Sequence, residues 1–350
     1  MTGATGQDGY FLVHRLLDDG WRVWAPVRDV DAAEALFEHH ENLSAVRRDL
    51  LDPGPLCSLI GDVRPEELYN LAGESSVGAS FEDPRRTWNS NAHVVVHLLD
   101  AIRADSPLTR VYQASSGEMF GSTPGGSAVH DEASPLNPQS PYAAAKAAAH
   151  LLCRSYRESY DIRIACGILF NHESSRRGPQ FLTRKIVDHL ARLRRTGDHE
   201  VLRVGNLRAQ RDWGYAPDYV DGMMMVIRQA EIRRVDDPSS YNDYVLGTGV
   251  LHHVWELIDR AYALAGFELV WHLTGDDPLE WHATFADTGG PAVVVDEQFV
   301  RPSDPLAIVA DPGRIRRDLG WQPRAGLDDF LNEMLSAARD ETGAAAPAPS

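Results

Sequence analysis

Lysine is almost absent from this chain. Of its 34 basic residues only two, Lys146 and Lys185, are lysines, and all the others are arginines. An ammonium is a compact point charge that a guanidinium does not imitate, so a lysine kept in such a sequence is a candidate for a specific task. We therefore treat Lys146 and Lys185 as candidate functional residues.

Positive charge is scarce as a whole. The chain carries 51 acidic and 34 basic residues, which gives a formal net charge of -17 at pH 7. Such a balance argues against nucleic acid or an anionic membrane as a partner. An anionic substrate would then need a local cluster of arginines.

Cysteine is also scarce, and long apolar runs are missing. Cys57, Cys153 and Cys166 are odd in number and lack the spacing of metal ligands, so we predict reduced thiols and no metal site. No apolar run is long enough to span a membrane, and we expect no signal peptide. These absences together predict a cytoplasmic protein.

The composition that remains is that of a globular protein. The 350 residues, 43% apolar and 24% charged, can form a large core and two domains. Strand and helix patterns alternate up to about residue 170, which predicts an α/β fold with a Rossmann-type doubly wound parallel sheet and a smaller α/β substrate-binding domain. We assign residues 1–170 and about 206–248 to the dinucleotide-binding domain, 171–205 and 249–336 to the substrate domain, and 337–350 to a disordered tail.

A glycine-rich turn opens the chain. Gly3, Gly6 and Gly9 are spaced three apart and precede a predicted helix, which is the layout of a phosphate-binding turn. The strand that should come before this turn is reduced to Met1. A parallel sheet without its first, central strand would leave ladder groups unpaired. We therefore expect the native chain to start several residues earlier.

Tyr142 and Lys146 lie four residues apart in an alanine-rich segment that begins after Pro141. On a helix the two side chains share one face. An ammonium beside a phenol lowers the pKa of the phenol, which suits Tyr142 to general-base work near neutral pH. The alternative is an ordinary amphipathic helix with one tyrosine and one lysine.

Ser116 and Glu118 follow a buried-looking strand upstream of that helix. A serine hydroxyl can bond a substrate oxygen while the tyrosine takes its proton, and a carboxylate can remove a proton from carbon. The alternative is a polar turn with a solvated glutamate.

Two further stretches indicate a dinucleotide and an anionic substrate. After the second strand, Arg28 suits the 2′-phosphate of NADP and Asp29 suits the ribose hydroxyl of NAD, and we favour NADP with NAD as the alternative. After the strand that ends near Phe170, Arg176, Arg177 and Lys185 indicate anion recognition. A solvated loop is the other interpretation of that segment.

The motifs TGATGQDG, YQASSGEMFG, SPYAAAK, LFNHESSRRG and RDWG resemble those of the extended short-chain dehydrogenase/reductases, and among these the GDP-mannose 4,6-dehydratase family. The resemblance runs from Thr2 to about Leu335. It implies a lyase that converts GDP-mannose to GDP-4-keto-6-deoxy-mannose and water in deoxysugar nucleotide biosynthesis. The expected steps are oxidation at C4, elimination across C5 and C6, and return of the hydride to C6.

The resemblance also implies roles for individual residues. The catalytic set would be Ser116, Glu118, Tyr142 and Lys146. A GDP-hexose would be bound by Asn171, Lys185, Arg211 and Arg301. The segment of Arg176 and Arg177 reaches a neighbouring subunit's cofactor site in the family, which predicts a homodimer or homotetramer. The cofactor, NADP or NAD, would contact Gly3, Thr5, Gly6, Gln7, Asp8, Gly9, Arg28, Asp49, Leu50, Leu71, Ala72, Ser75, Tyr142, Lys146, His172 and Arg177.

Several positions depart from the family's pattern, which leaves the hexose open. They include Asp29, Glu74, Arg86, Tyr215 and Trp255. Another nucleotide-sugar 4,6-dehydratase, a 4-epimerase or a 4-keto reductase of the same fold is the first alternative, although the last two need no carboxylate at Glu118. A nucleotide-binding protein without catalytic activity is the second.

Overall fold

The computed structural model describes residues 1–122, 127–197, 200–230, 242–275 and 277–343. Helices and strands alternate over the first half of the chain. The helices are α1 (Gln7–Asp18), α2 (Val30–Leu36), α3 (Pro53–Val63), α4 (Val77–Glu82), α5 (Pro84–Trp88), α6 (Val94–Asp105), α7 (Pro141–Tyr160), α8 (Leu182–Thr196), α9 (Ala216–Ile227), α10 (Val254–Leu264), α11 (Gly313–Leu319) and α12 (Leu327–Gly343). The strands are β1 (Val23–Val27), β2 (Leu43–Arg47), β3 (Glu67–Asn70), β4 (Arg110–Ser116), β5 (Val129–His130), β6 (Ile164–Leu169), β7 (Asn171–Glu173), β8 (Leu202–Val204), β9 (Gln210–Arg211), β10 (Trp213–Tyr215), β11 (Asp243–Leu246), β12 (His252–His253), β13 (Leu269–His272), β14 (His282–Phe285), β15 (Pro291–Val295) and β16 (Ala307–Ala310).

The central sheet is parallel, in the order β3-β4-β6-β11. Its inner strands are covered on both faces, and every residue of β6 is buried. Strands of this kind carry near-continuous apolar sequence, as IACGIL does here. Strands β1 and β2 form a separate parallel pair. The predicted α/β fold with a parallel sheet is confirmed.

Two apolar layers enclose the parallel strands. One layer contains Leu12 and Val13 of α1 with Val220 and Met223 of α9. The other contains side chains of α3, α6 and α7, which pack around β4 and β6. Both layers exclude water from the strands, so the open ends of the strands are the natural place for polar chemistry.

A third apolar cluster belongs to the second half of the chain. It joins α8, α10 and α12 to the sheet β13-β14-β15-β8. Strand β11, in contrast, returns to the central sheet beside β6. The assignment of residues 171–205 and 249–336 to a nucleotide-sugar-binding domain stays a prediction.

The predicted start of the disordered tail at residue 337 is wrong, because helix α12 continues to Gly343. The apolar side chains of α12 pack into the third cluster, where Leu335 and Ala338 are buried. Residues 344–350 of the predicted tail lie outside the described residues. In the ranges that the structure describes, none of the helices combines the length and apolar content needed to cross a bilayer.

Candidate active site

The glycine turn brings the start of α1 against the end of β3. Gly3 has φ +73°, and a Cβ at this position would lie 2.8 Å from the Ala72 nitrogen. A Cβ at Gly9 would lie 2.0 Å from the Gly3 oxygen. Only glycine fits these two positions. No side chain caps α1, so the N–H groups of its first turn are available to a phosphate, and the turn fits a dinucleotide.

An ion pair joins the first turn of α1 to strand β7. The His172 Nε2 lies 3.0 Å from both carboxylate oxygens of Asp8, and its Nδ1 lies 2.7 Å from the Phe170 oxygen. The Gln7 amide donates to the His172 carbonyl at 2.9 Å. Although burial opposes it, the pairing raises the pKa of His172 and lowers that of Asp8. Both shifts favour the charged forms of the two side chains.

All the residues predicted to act in catalysis or to bind the cofactor or GDP line one cavity of about 1280 Å³. It runs from the glycine turn, past the carboxyl ends of the parallel strands, to the loop that follows β15. Parallel α/β sheets place ligand sites at this edge. The individual roles of these residues stay predictions, but the fold brings them to one place.

The catalytic candidates lie where β4 ends and α7 begins. Ser116 is the last residue of β4, and its Oγ accepts a hydrogen bond from the Glu118 nitrogen at 3.3 Å. Ser140 caps α7 by accepting from the Ala143 nitrogen at 3.1 Å. The cap fixes the first turn of the helix and directs Tyr142 and Lys146 toward the end of β4.

The expected lowering of the Tyr142 pKa is not found. Burial raises the pKa of Tyr142 to about 12, with the nearby Glu118 carboxylate adding to the rise and the Ser116 hydrogen bond opposing it. The Lys146 ammonium donates to the Ala114 carbonyl at 3.1 Å instead of to the phenol. Burial lowers the pKa of Lys146 to about 8. The expectation assumed that the ammonium acts directly on the phenol oxygen, but the backbone carbonyl holds it.

The opposite end of the cavity is basic. Arg211 donates to the Asp304 carboxylate at 2.7 Å and to the Pro305 carbonyl at 2.7 Å, and Arg301 contacts the same carboxylate at 3.2 Å. The Lys185 ammonium lies 3.4 Å from the centre of the Phe299 ring. Two guanidinium groups and an ammonium at one end can bind a diphosphate.

The two arginines after β7 lie against their own chain. The Arg177 guanidinium pairs with Glu173 at 3.0 Å and covers the Phe181 ring at 3.5 Å. Arg176 lies 4.5 Å from the centre of the Tyr10 ring. The predicted reach of this segment into a neighbouring subunit stays a prediction.

Two of the departures from the family's pattern have local explanations. The Asp29 carboxylate caps α2 by accepting from the Ala32 nitrogen at 3.1 Å, whereas Arg28 lines the cavity. Glu74 accepts from the nitrogens of Ser75 and Ser76, both at 3.1 Å. Asp29 is therefore used by the fold, and Arg28 is available to a ligand.

One buried polar network was missed by the sequence interpretation. His150 follows Lys146 by one helical turn, and its Nδ1 lies 2.9 Å from the Ser115 hydroxyl. Its other nitrogen faces Asp243 at 3.8 Å, and Arg157 binds that carboxylate with two bonds of 2.9 Å. Helical spacing from Lys146 could have indicated His150, but nothing local indicated Asp243.

The comparisons with known proteins agree with this geometry. The family model described as GDP-mannose 4,6 dehydratase matches residues 1–334. The chain belongs to the GDP-mannose 4,6-dehydratase family. It is 36% identical to the GDP-mannose 4,6-dehydratase of Vibrio cholerae, over 96% of this chain and 92% of that one. It is 37% identical to the enzyme of Sinorhizobium fredii and 34% identical to the human enzyme, each over 96% of this chain and over 94% and 90% of theirs.

Solved structures share the fold of this GDP-mannose 4,6-dehydratase family member. The dTDP-glucose 4,6-dehydratase DesIV of Streptomyces venezuelae, with NAD and TYD bound, has a TM-score of 0.78 at 24% identity, over 98% of this chain and 97% of that one. RMD from Pseudomonas aeruginosa, complexed with NADPH, has a TM-score of 0.73 at 21% identity, over 97% of both chains. The predicted family and the Rossmann-type fold are confirmed.

Proposed function

We propose that this protein is a GDP-mannose 4,6-dehydratase that converts GDP-mannose to GDP-4-keto-6-deoxy-mannose and water. The observation that carries the proposal is one cavity whose lining joins three parts: the glycine turn, the Ser116–Glu118–Tyr142–Lys146 group and the Arg211–Arg301 pair. A nucleotide sugar placed with its diphosphate at the arginines extends its hexose toward the catalytic group.

A nicotinamide cofactor, when bound at the glycine turn, supplies a hydride acceptor and, later, a hydride donor. Tyr142 moves the proton of the sugar O4, and Ser116 orients that oxygen through its hydroxyl. The carbonyl formed at C4 makes the C5 proton acidic. Glu118 then takes the proton from C5 and passes it to the C6 hydroxyl, which leaves as water. Elimination therefore depends on the carboxylate, whereas proton transfer at O4 depends on the phenol.

Arg211 and Arg301 bind the diphosphate in this proposal. The protein as a whole is strongly acidic, with a net charge of -17, so an anionic substrate depends on local cations. Asp304 holds both guanidinium groups beside each other. Lys185 and Asn171, which line the same cavity, complete the set proposed to contact GDP.

NADP is the proposed cofactor. Arg28 and Arg48 line the cavity beside the ends of β1 and β2, while the Asp29 carboxylate caps α2. A 2′-phosphate would therefore meet cations, and Asp29, the residue that would suit a ribose hydroxyl, does not line the cavity. We expect Arg28→Ala to raise the KM for NADP by roughly 10- to 100-fold and to leave the KM for NAD unchanged. Asp29→Asn, which keeps the cap, is the control, and an equal effect of Arg28→Ala on both cofactors would contradict the assignment.

We further propose a homodimer or homotetramer with a cytoplasmic location. The support for assembly is the family resemblance of the Arg176–Arg177 segment, and the support for the compartment is three free cysteines. Sedimentation of the protein and of Arg176→Ala measures the assembly. A monomer in both samples would contradict it.

Mass spectrometry of the sugar nucleotide tests the reaction itself. After incubation of the protein with GDP-mannose and NADP, we expect a product lighter by one water and no net reduction of the cofactor. An epimerase would leave the mass unchanged, a 4-keto reductase would change the cofactor, and a protein without activity would bind GDP-mannose without altering it. Any of these three results would refute the dehydratase.

A further inference from the structure

The end of strand β4, which carries Ser116, is supported by a neighbouring strand on one side only. Strand β3 pairs with β4 as far as Asn70 opposite Gln113, whereas β6 continues to Leu169 opposite Ser116. The last three residues of β4 therefore extend past the end of β3, and among the described residues no strand pairs with them on that side. Backbone and side chains at such an edge need other partners to stay in one position.

Helix α7 supplies these partners from two successive turns. Lys146 and His150 are four residues apart and share a face of the helix. The Lys146 ammonium donates to the Ala114 carbonyl at 3.1 Å, and the His150 Nδ1 lies 2.9 Å from the Ser115 Oγ. Two consecutive residues of β4 are thus bound to α7 immediately before the catalytic serine.

The imidazole of His150 is itself oriented by a buried carboxylate. Its Nε2 lies 3.8 Å from Asp243, and the two side chains are only 12% and 7% exposed. Arg157 donates to both oxygens of that carboxylate at 2.9 Å, and the Cys166 nitrogen donates to one of them at 3.2 Å. Because buried polar networks hold their members in one arrangement, His150 presents its Nδ1 to β4 in a fixed direction.

His150 has no direct access to a ligand. It does not line the cavity, whereas Ser115 and Ser116 do. An effect of His150 on the reaction would therefore pass through Ser115 and the strand end. Displacement of a reacting group by about 1 Å can cost on the order of 10²-fold in rate, so the position of this strand end matters for catalysis.

We propose that His150 is a positioning residue, whose hydrogen bond to Ser115 holds the end of β4 where Ser116 faces Tyr142. The inference rests on the proposed function, in which these two groups orient the sugar O4 and move its proton. A displaced strand end would slow that step. It would leave binding of the diphosphate at Arg211 nearly unchanged, because Arg211 lies at the opposite end of the cavity.

Steady-state kinetics of two variants at one position form the first test. Leucine at position 150 removes the hydrogen bond, whereas an asparagine amide reaches the position of Nδ1 and can keep it. We expect His150→Leu to lower kcat roughly 10- to 100-fold, with the KM for GDP-mannose changed by less than about threefold, and His150→Asn to recover most of kcat. An unchanged kcat in His150→Leu, or no recovery in His150→Asn, would overturn the proposal.

Tyr156→Phe is the matched control on the same helix. The Tyr156 hydroxyl donates to the Asp100 carboxylate at 2.9 Å, a contact that joins α7 to α6 and not to β4. Its loss should lower the Tm, as loss of a purely structural contact does, and leave kcat unchanged. Equal falls of kcat in Tyr156→Phe and His150→Leu would indicate a general effect of helix stability and overturn the proposal.

Ser115→Ala removes the same hydrogen bond from the strand side, so the proposal stays testable if His150→Leu does not fold. If both side chains act through one bond, the two substitutions lower kcat by similar factors, and the double variant loses no more than the worse single variant. Losses that multiply in the double variant, or a normal kcat in Ser115→Ala, would overturn the proposal.

Hydrogen exchange of the ligand-free protein tests the positioning without any reaction. In His150→Leu we expect the amides of residues 114–118 to exchange roughly tenfold faster, whereas Tyr156→Phe should leave them unchanged. Unchanged exchange of this segment in His150→Leu would overturn the proposal. Because this measurement needs neither substrate nor turnover, its failure is distinct from failure of the dehydratase assignment, which shows as absence of water loss in the unmodified protein.

Discussion

Replacing Glu118 by glutamine should separate the two halves of the reaction. The substitution keeps the shape of the side chain and removes the carboxylate that takes the C5 proton. Loss of a positioned general base slows its step by about 10²- to 10⁴-fold, so elimination should fall by that factor. C4 oxidation depends on Tyr142 and should persist.

The structure predicts an opposite effect on the first half of the reaction. The Glu118 carboxylate raises the pKa of the buried Tyr142. Without this charge the pKa of Tyr142 falls, so the phenolate forms at lower pH. The pH profile of C4 oxidation should therefore shift to lower pH in Glu118→Gln. At a pH below the pKa of Tyr142, each unit by which that pKa falls increases the fraction of phenolate, and with it the rate of C4 oxidation, by about tenfold.

Single-turnover absorbance of the reduced cofactor measures oxidation, and mass spectrometry of the sugar nucleotide measures elimination. Glu41→Gln, at an exposed position outside the cavity, is the matched control and should change neither. Normal water loss in Glu118→Gln would refute the role of Glu118. Loss of both half-reactions in a folded, cofactor-bound variant would refute the separation.

Three further predictions rest on the same geometry. Burial lowers the pKa of Lys146 to about 8, so its ammonium is lost as pH rises through that value, and NMR of the protein with ¹⁵N-labelled lysine should show this amine titrating near pH 8; an unshifted pKa near that of free lysine would contradict this. Asp8→Asn leaves His172 without its carboxylate and should lower the free energy of unfolding by roughly 3 kcal/mol, measured in urea; an unchanged midpoint would contradict the pair's role. Gly9→Ala should abolish cofactor binding in calorimetry, because its Cβ would lie 2.0 Å from a backbone oxygen, whereas Gly61→Ala, whose nearest contact is 3.5 Å, should bind normally.

The sequence was sufficient to predict the fold. It was also sufficient to predict those cavity residues that belong to motifs of neighbouring residues. Glycines three apart predict the turn because close backbone approach excludes a Cβ, as Gly3 and Gly9 show. Tyr142 and Lys146 share a face because helical spacing places them there. The strands that contain Leu68 and Val111 were recognisable from their runs of apolar residues.

The remaining features depend on contacts between distant parts of the chain. Asp243 joins His150 and Arg157 only after β11 pairs with β6, and no local pattern contains that information. The ammonium of Lys146 bonds to the Ala114 carbonyl because α7 packs on β4. Spacing along one helix therefore correctly predicted that Tyr142 and Lys146 lie close together. It wrongly predicted that the pKa of Tyr142 is lowered.

The start of the tail was misplaced for a similar reason. An alanine- and proline-rich ending is typical of disorder, but Leu335 and Ala338 are covered by α8 and α10 in the third apolar cluster. Composition shows that a segment has few large apolar side chains. Composition does not show that distant helices will pack against the few apolar side chains that the segment contains.

Transfer of a deuterium label tests the central claim most directly. GDP-mannose deuterated at C4 is incubated with the protein and unlabelled NADP, and the product is analysed by NMR. The account predicts that the label moves from C4 to C6 of the same sugar, that C5 acquires hydrogen from solvent, and that one water is lost. A product that retains deuterium at C4, or a label that is released to the bulk cofactor, would contradict a 4,6-dehydratase.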